Sequence, residues 1–131
     1  MKKSLGVCIF AAILALPAMA NAASDLPAGF IALSDTVMTW AEAKSFCQQK
    51  GGRLPLIDGS TSLWETPKGT PVDGFGAVGA PWPSDLPNAV YWTGTEFSIG
   101  PGHSWRIGDR SGNVRAAYGP QSLWARALCV P

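Results

Sequence analysis

The sequence predicts an α+β domain, one early helix packed on short antiparallel strands, loop-rich, with the helix tied to the last strand. Three observations predict it. A capped amphipathic segment from Thr39 to Lys50 is followed at once by a short apolar run. Several segments rich in β-formers fill the second half, separated by turn chemistry. Once an N-terminal leader is set aside, the remaining cysteines are Cys47 in the helix and Cys129 near the last residue.

The leader comes first. Lys2 and Lys3 make a basic start, 5–16 is apolar, Pro17 breaks the run, and Ala20-Asn21-Ala22 supplies the small residues after which a signal peptidase cuts. We place a cleaved signal peptide at 1–22 and a single domain at 23–131. A buried N-terminal helix is the competing reading. The apolar run is shorter than the roughly 20 residues a spanning helix needs. Cys8 leaves with the leader. So do two of the ten basic residues, and eight then face nine acidic ones. No basic stripe is left for nucleic acid, and no polybasic or amphipathic segment for membrane insertion. Export places Cys47 and Cys129 in an oxidising compartment, where an even pair favours one disulfide. Two buried free thiols are the alternative.

In the mature chain, Phe30-Ile31-Ala32-Leu33 reads as a first strand and Ser34-Asp35 as its exit turn. Thr39 is a good N-cap, and Glu42 three residues later completes a capping box. Trp40, Ala43, Phe46 and Cys47 recur at helical spacing, opposite Glu42, Lys44, Ser45, Gln48 and Gln49. Gly51 and Gly52 supply the left-handed residue that ends such a helix. Leu54, Leu56 and Ile57 then read as a short strand.

From Asp58 the character changes. Asp58-Gly59-Ser60-Thr61-Ser62 is turn chemistry, and 62–65 holds one helical turn at most. Five prolines and four glycines between 67 and 88 leave no regular element. So long an irregular loop is usually functional or disordered. Phe75, Val78 and Trp82 favour a packed surface loop, ordered yet peripheral, without which the body still folds.

Order returns at Ala89-Val90-Tyr91-Trp92-Thr93-Gly94-Thr95. Ser104-Trp105-Arg106-Ile107-Gly108 and Asn113-Val114-Arg115-Ala116-Ala117-Tyr118 make a hairpin, with Gly112 free to take positive φ in the Asp109-Arg110-Ser111-Gly112 turn. Trp124 to Val130 alternates as a last strand, but Trp124, Ala127 or Leu128, and Val130 cannot all face one way.

These residues carry a family resemblance. Thr39-Trp40-Ala41-Glu42-Ala43 leading to Cys47, then Gly51-Gly52-Arg53-Leu54, resembles the first helix and following strand of C-type lectin-like domains. Tyr91-Trp92-Thr93-Gly94-Thr95 is similar to the central strand of that fold. Trp105 before Gly108-Asp109, and Leu128-Cys129-Val130, are similar to its later landmarks. Arg53-Leu54-Pro55 and Tyr91-Trp92-Thr93 more closely resemble bacterial members, the domains ending intimin- and invasin-like adhesins and a related group of bacterial domains of unknown function. The resemblance spans nearly all of the mature chain and implies a C-type-lectin-like fold with one disulfide clasping first helix to last strand. It does not carry over the calcium site. The Glu-Pro-Asn or Gln-Pro-Asp and Trp-Asn-Asp signatures are missing, as is the second family disulfide, and 118–129 has no acidic residue to serve a cation that takes six to eight oxygens. The extra length at 58–88 precedes the central strand, whereas the family's ligand loop follows it, so no binding residue transfers by position.

Catalytic readings are weak. His103 is the only histidine and sits in a Gly-Pro-Gly-His-Ser loop, where a surface role is expected. No zinc ligands are spare beside a disulfide, and nothing supplies a nucleophile elbow. Asp58, Glu65, Asp73, Asp85, Glu96 and Asp109 are candidates for an acid/base pair only as a list. Trp40, Trp92 and Trp105 fall on regular elements, where packing explains them. Trp82 reads as a loop anchor or a ligand contact. Arg106, Arg110, Arg115 and Arg126 form one basic face if strand alternation holds. The expectation is therefore an exported, calcium-independent, adhesin-like binding module for a protein or glycan on a host or bacterial surface, periplasmic, surface-held or secreted. It needs no cofactor, metal or catalytic residue, and its ligand contacts are Trp64, Asp73, Phe75, Trp82 and Asp85. An accessory subunit of a surface or secretion assembly is the first alternative, and a periplasmic enzyme the second.

Overall fold

The computed structural model describes residues 26–58 and 65–131. The expected signal peptide and the helical turn at 62–65, except Glu65, lie outside them. Strand β1 (Ala32–Met38) leads into helix α1 (Trp40–Gln49). Two-residue strands β2 (Pro71–Val72) and β3 (Gly76–Ala77) pair with each other. Then come β4 (Tyr91–Glu96), β5 (His103–Arg110), β6 (Asn113–Pro120) and β7 (Ala125–Cys129). The main sheet has the order β1-β7-β4-β5-β6. All its pairings are antiparallel except β4 with β7. The molecule is thus α+β, with its first and last strands side by side.

Helix α1 begins as its sequence dictates. Thr39 Oγ1 accepts from the Glu42 amide at 3.3 Å, and Glu42 Oε1 accepts from the Thr39 amide at 2.9 Å. Trp40, Ala43 and Cys47 are buried against Trp92, Ala125, Ala127 and Cys129, whereas Phe46 is only half-buried. Cys47 and Cys129 form a disulfide, with Cα atoms 5.4 Å apart. Two indoles lock the contact: Trp40 Nε1 donates to the Thr93 carbonyl (2.9 Å) and Trp92 Nε1 to the Met38 carbonyl (2.8 Å).

Strand β7 is paired along both edges, by β1 and β4, and is covered on both faces, by the helix and by the larger core. Ala125, Ala127 and Cys129 face the helix, and Leu128 and Val130 join the larger core on the other side with Tyr91, Trp105 and Ile107. That division settles the alternation that the sequence left open. Trp124 lies just before the strand and is 67% exposed.

Three expectations need correction. The first strand does not turn out at Ser34-Asp35 but continues to Met38 with a shift of register between Leu33 and Val37. Ser34 Oγ explains it, donating to the Thr36 carbonyl and accepting from the Ala127 amide, so a side chain replaces lost ladder bonds. The 54–57 run is not a strand. Its strand pairing is confined to isolated bridges, Arg53 to Val130 and Ile57 to Val72, and Pro55 has no N–H to offer a ladder. The long loop is neither devoid of pairing nor peripheral. Val72, Phe75 and Leu86 belong to the larger core, and Phe75 is 4% exposed with its ring edge-on to Phe30 at 5.2 Å. The loop also flanks the sheet: Gly79 and Ala80 exchange backbone hydrogen bonds with Val114, and the Trp82 amide donates to the Gly112 carbonyl.

The hairpin of β5 and β6 pairs without interruption from His103↔Pro120 to Arg110↔Asn113. Its connection is Ser111-Gly112, with φ of 55° and 86°. Two successive positive values are what a two-residue type I′ turn requires. Asp109 Oδ1 holds it by accepting from the Gly112 amide at 2.8 Å.

Candidate functional site

An open cleft of about 790 Å³ lies where β4 ends and the 53–58 segment crosses it, lined among others by Arg53, Asp58, Asp73, Thr95, Glu96 and Ser98. Its wall is built by side chains doing backbone work. The Gly94 amide donates to the Pro55 carbonyl, and the Ile57 amide to Thr95 Oγ1 at 2.9 Å. Thr93 Oγ1 reaches across to the Trp105 carbonyl at 2.8 Å. These side-chain bonds occupy the region where the β4–β5 register shifts, between Trp92 and Glu96. The ladder resumes at Glu96, which pairs with Ser104, and the shifted stretch lines the cleft.

Asp73 closes the near side. Its Oδ2 accepts from Arg53 at 2.8 Å and from the Leu56 amide at 2.9 Å, while its own amide donates to the Leu56 carbonyl. Burial would raise the carboxyl, but the Arg53 hydrogen bond, the Leu56 amide and the charge of Arg53 together hold its pKa below the ordinary carboxylate value. Glu96 Oε2 accepts from Gln121 at 3.2 Å. The cleft therefore offers a guanidinium, carboxylates and hydroxyls on one open wall. That mixture suits a polar surface presenting both donors and acceptors.

The residues singled out from the sequence do not converge. Asp73 lines this cleft but is engaged by Arg53 and Leu56. Phe75 is a core residue with no face to give a ligand. Trp82 stacks on Tyr91 (centroids 6.0 Å, 20°) and tilts against Phe75 at 5.5 Å, with Nε1 donating to the Leu86 carbonyl, so it anchors the loop. Asp85 is exposed and lines a different groove, with Ile31, Asp35, Phe46 and Lys50. Trp64 lies outside the described residues. The sequence names Glu96 only among scattered carboxylates, and Arg53 and Thr95 only within the motifs Arg53-Leu54-Pro55 and Tyr91-Trp92-Thr93-Gly94-Thr95, with no ligand role for any of them.

The basic face is three arginines, not four. Arg106, Arg110 and Arg115 line one depression on the helix side of the β5–β6 hairpin. Arg126 is over the ring of Tyr91 and donates from Nε and Nη2 to the Ser34 carbonyl, on the opposite side. Tyr91 and Trp92 are neighbours on β4 and point to opposite faces, and Arg106 goes with Trp92 (5.7 Å). Leu123, Trp124 and Val37 are the exposed apolar residues at the end of the β1–β7 ladder where Met38 pairs with Ala125. Among the described residues no three His, Cys, Asp or Glu side chains group to hold a metal ion, and no helix is long and apolar enough to cross a membrane. Compared with known proteins, the chain has no significant match to a family model, a curated protein or a solved structure.

Proposed function

We propose that the chain is an exported bacterial binding module of C-type-lectin-like fold, recognising a protein or glycan surface without calcium and without catalysis. What supports the fold is the agreement between the residues that carry the resemblance and their places. The Thr39-Trp40 helix is joined by disulfide to the last strand, and Tyr91-Trp92-Thr93 begins a central strand. The observation that carries the function is the polar cleft at the end of β4, because its floor is fixed by main-chain bonds while Arg53, Asp58 and Glu96 line its open wall. A preformed polar surface on a rigid body binds without first paying to order itself.

The test is an array of glycans and surface proteins, probed with the oxidised protein in calcium and in EDTA. Binding should be equal in both and should fall in Arg53→Ser/Glu96→Gln. Binding that requires calcium, or that ignores the cleft variant, rejects the reading. One observation favours the accessory-subunit alternative, the exposed Leu123, Trp124 and Val37. Large aromatics at a surface are preferred anchors for a protein partner. Co-purification of an envelope protein that is lost in Trp124→Ser would select that alternative.

A further inference from the structure

The outer face of the β5–β6 hairpin has chemistry that the cleft lacks. Arg106 and Arg110 lie on the same side of β5, with Gly108 between them, and Gly108 pairs with Arg115. Residues two apart on a strand are about 6.6 Å apart, and directly paired residues about 5 Å. Three guanidinium stems therefore surround a position that has no side chain. Val90 and Ala117 complete a depression of about 320 Å³.

None of the three has a carboxylate partner among the described residues, where the Arg53–Asp73 pair is the salt bridge observed. The carboxylate at the rim, Asp109, is held by the turn amide of Gly112. Arg106 runs from the depression toward Gly119, where an added Cβ would come within 2.7 Å of the guanidinium carbon, so its head packs on that glycine and its stem lines the depression. Three like charges on one short hairpin repel each other. An arriving anion relieves that repulsion.

We propose that this face docks an acidic segment of a protein partner, seating a Glu or Asp carboxylate between Arg110 and Arg115, beside the Arg106 stem, with an adjoining apolar side chain on Val90 and Ala117. Arginine suits the role because its planar fork meets a carboxylate through two parallel hydrogen bonds. The site's guanidinium groups stand on an apolar floor, and its carboxylate, Asp109, already accepts from the turn, so few acceptors are left for sugar hydroxyls. It lies at the opposite end of β4 from the cleft, beside Val90 rather than Glu96, and stands whether or not the cleft binds a glycan.

The experiment is fluorescence anisotropy of a labelled synthetic peptide of alternating Glu and Leu, with a Lys-Leu peptide and a sulfated oligosaccharide as comparators. The acidic peptide should bind at about 0.05 M salt and weaken at about 0.5 M as the charges are screened. Arg110→Ser/Arg115→Ser should lower affinity about tenfold or more, the scale of one lost charged hydrogen bond, while Lys44→Ser/Lys50→Ser, an equal change of charge elsewhere, leaves it unchanged. Because a loss can follow from misfolding, the reversed variant Arg110→Glu/Arg115→Glu is the second arm, and it should gain the Lys-Leu peptide. Acidic-peptide binding that survives both double variants, or no binding at all, overturns the proposal. Tighter capture of the sulfated oligosaccharide, lost in the same variants, also overturns it in favour of a polyanionic glycan.

Discussion

Gly51 and Gly52 are neighbours with different tasks. Gly51 takes φ of 83° and ends the helix, and a side chain there would meet nothing within 4 Å. Gly52 has no such backbone demand, but a Cβ would stand 2.3 Å from the Val130 carbonyl oxygen and 2.6 Å from Ile31 Cδ1. The first substitution strains one residue and the second pushes the helix exit off the last strand. Gly51→Ala should therefore cost about 1 kcal/mol, and Gly52→Ala more, in the range of about 1–3 kcal/mol or above for overpacking against backbone. Urea unfolding of the two variants checks the order, and equal costs would contradict it. Asp73 gives a pH prediction. Its folded pKa is lowered, chiefly because the Arg53 hydrogen bond and the Leu56 amide outweigh burial. Its contribution is present at pH values above the unfolded carboxyl's pKa, near 3.9, and is lost as pH falls through the lower folded value. Both partners are well exposed, at 50% and 39%, so solvent screening limits the pair to about 1 kcal/mol or less. In Asp73→Asn the wild-type advantage at pH 7 should shrink as pH falls below about 3.9, measured by thermal melts from neutral to acid pH. A constant difference would mean the amide contact, not the charge, is what matters.

At the scale of elements, helix and hairpin were legible because their signals are local. A capping box, a 3.6-residue spacing and a Ser-Gly turn each act within a few residues, and the structure places them where the sequence did. The hairpin can be improved by the same logic. Ser111 is a non-glycine residue at φ 55°, a conformation that asparagine tolerates better. Ser111→Asn should raise stability by about 0.5 kcal/mol, seen as a shifted denaturation midpoint with an unchanged slope. The long loop was misread for the converse reason. Prolines and glycines report what the chain cannot do locally, and they are silent on which side chains a loop sends inward. Phe75 reaches the core only because Gly74 lets Phe30 approach, its missing Cβ standing 2.5 Å from that ring. The cleft was illegible likewise, since Arg53 and Asp73 meet across 20 residues and Thr95 meets Ile57 across 38. Phe75→Ala should consequently cost about 3–5 kcal/mol. Replacing 74–85 with a Gly/Ser linker should abolish the cooperative transition, whereas a sharp melt in the shortened protein would return the loop to the periphery.

Across the whole molecule, the first and last strands lie side by side, and one covalent bond joins the helix after the first strand to the last strand. Cys47 and Cys129 are separated by 82 residues, and strands β2 to β7 lie within the loop they close. Two contacts already bring these ends together without it. The Ile31 amide donates to the Cys129 carbonyl, and Arg53 and Val130 exchange a pair of backbone hydrogen bonds. The disulfide is therefore not what specifies the meeting of helix and last strand. Its effect is on the unfolded chain, from which closing a loop of this length removes about 4–5 kcal/mol of entropy in the simple chain model. Net stabilities of domains this size are about 5–15 kcal/mol, so the bond supplies a large share without dictating the topology. Cys47→Ala/Cys129→Ala should accordingly reach the same fold, with the same indole contacts of Trp40 and Trp92, but unfold at a much lower denaturant concentration. Native tryptophan fluorescence at low temperature would report the retained packing, and its denaturation midpoint would report the loss. If the variant has no native spectrum even under stabilising conditions, the covalent bond is needed to assemble the helix on the sheet, and the backbone contacts at Ile31, Arg53 and Val130 are its consequence.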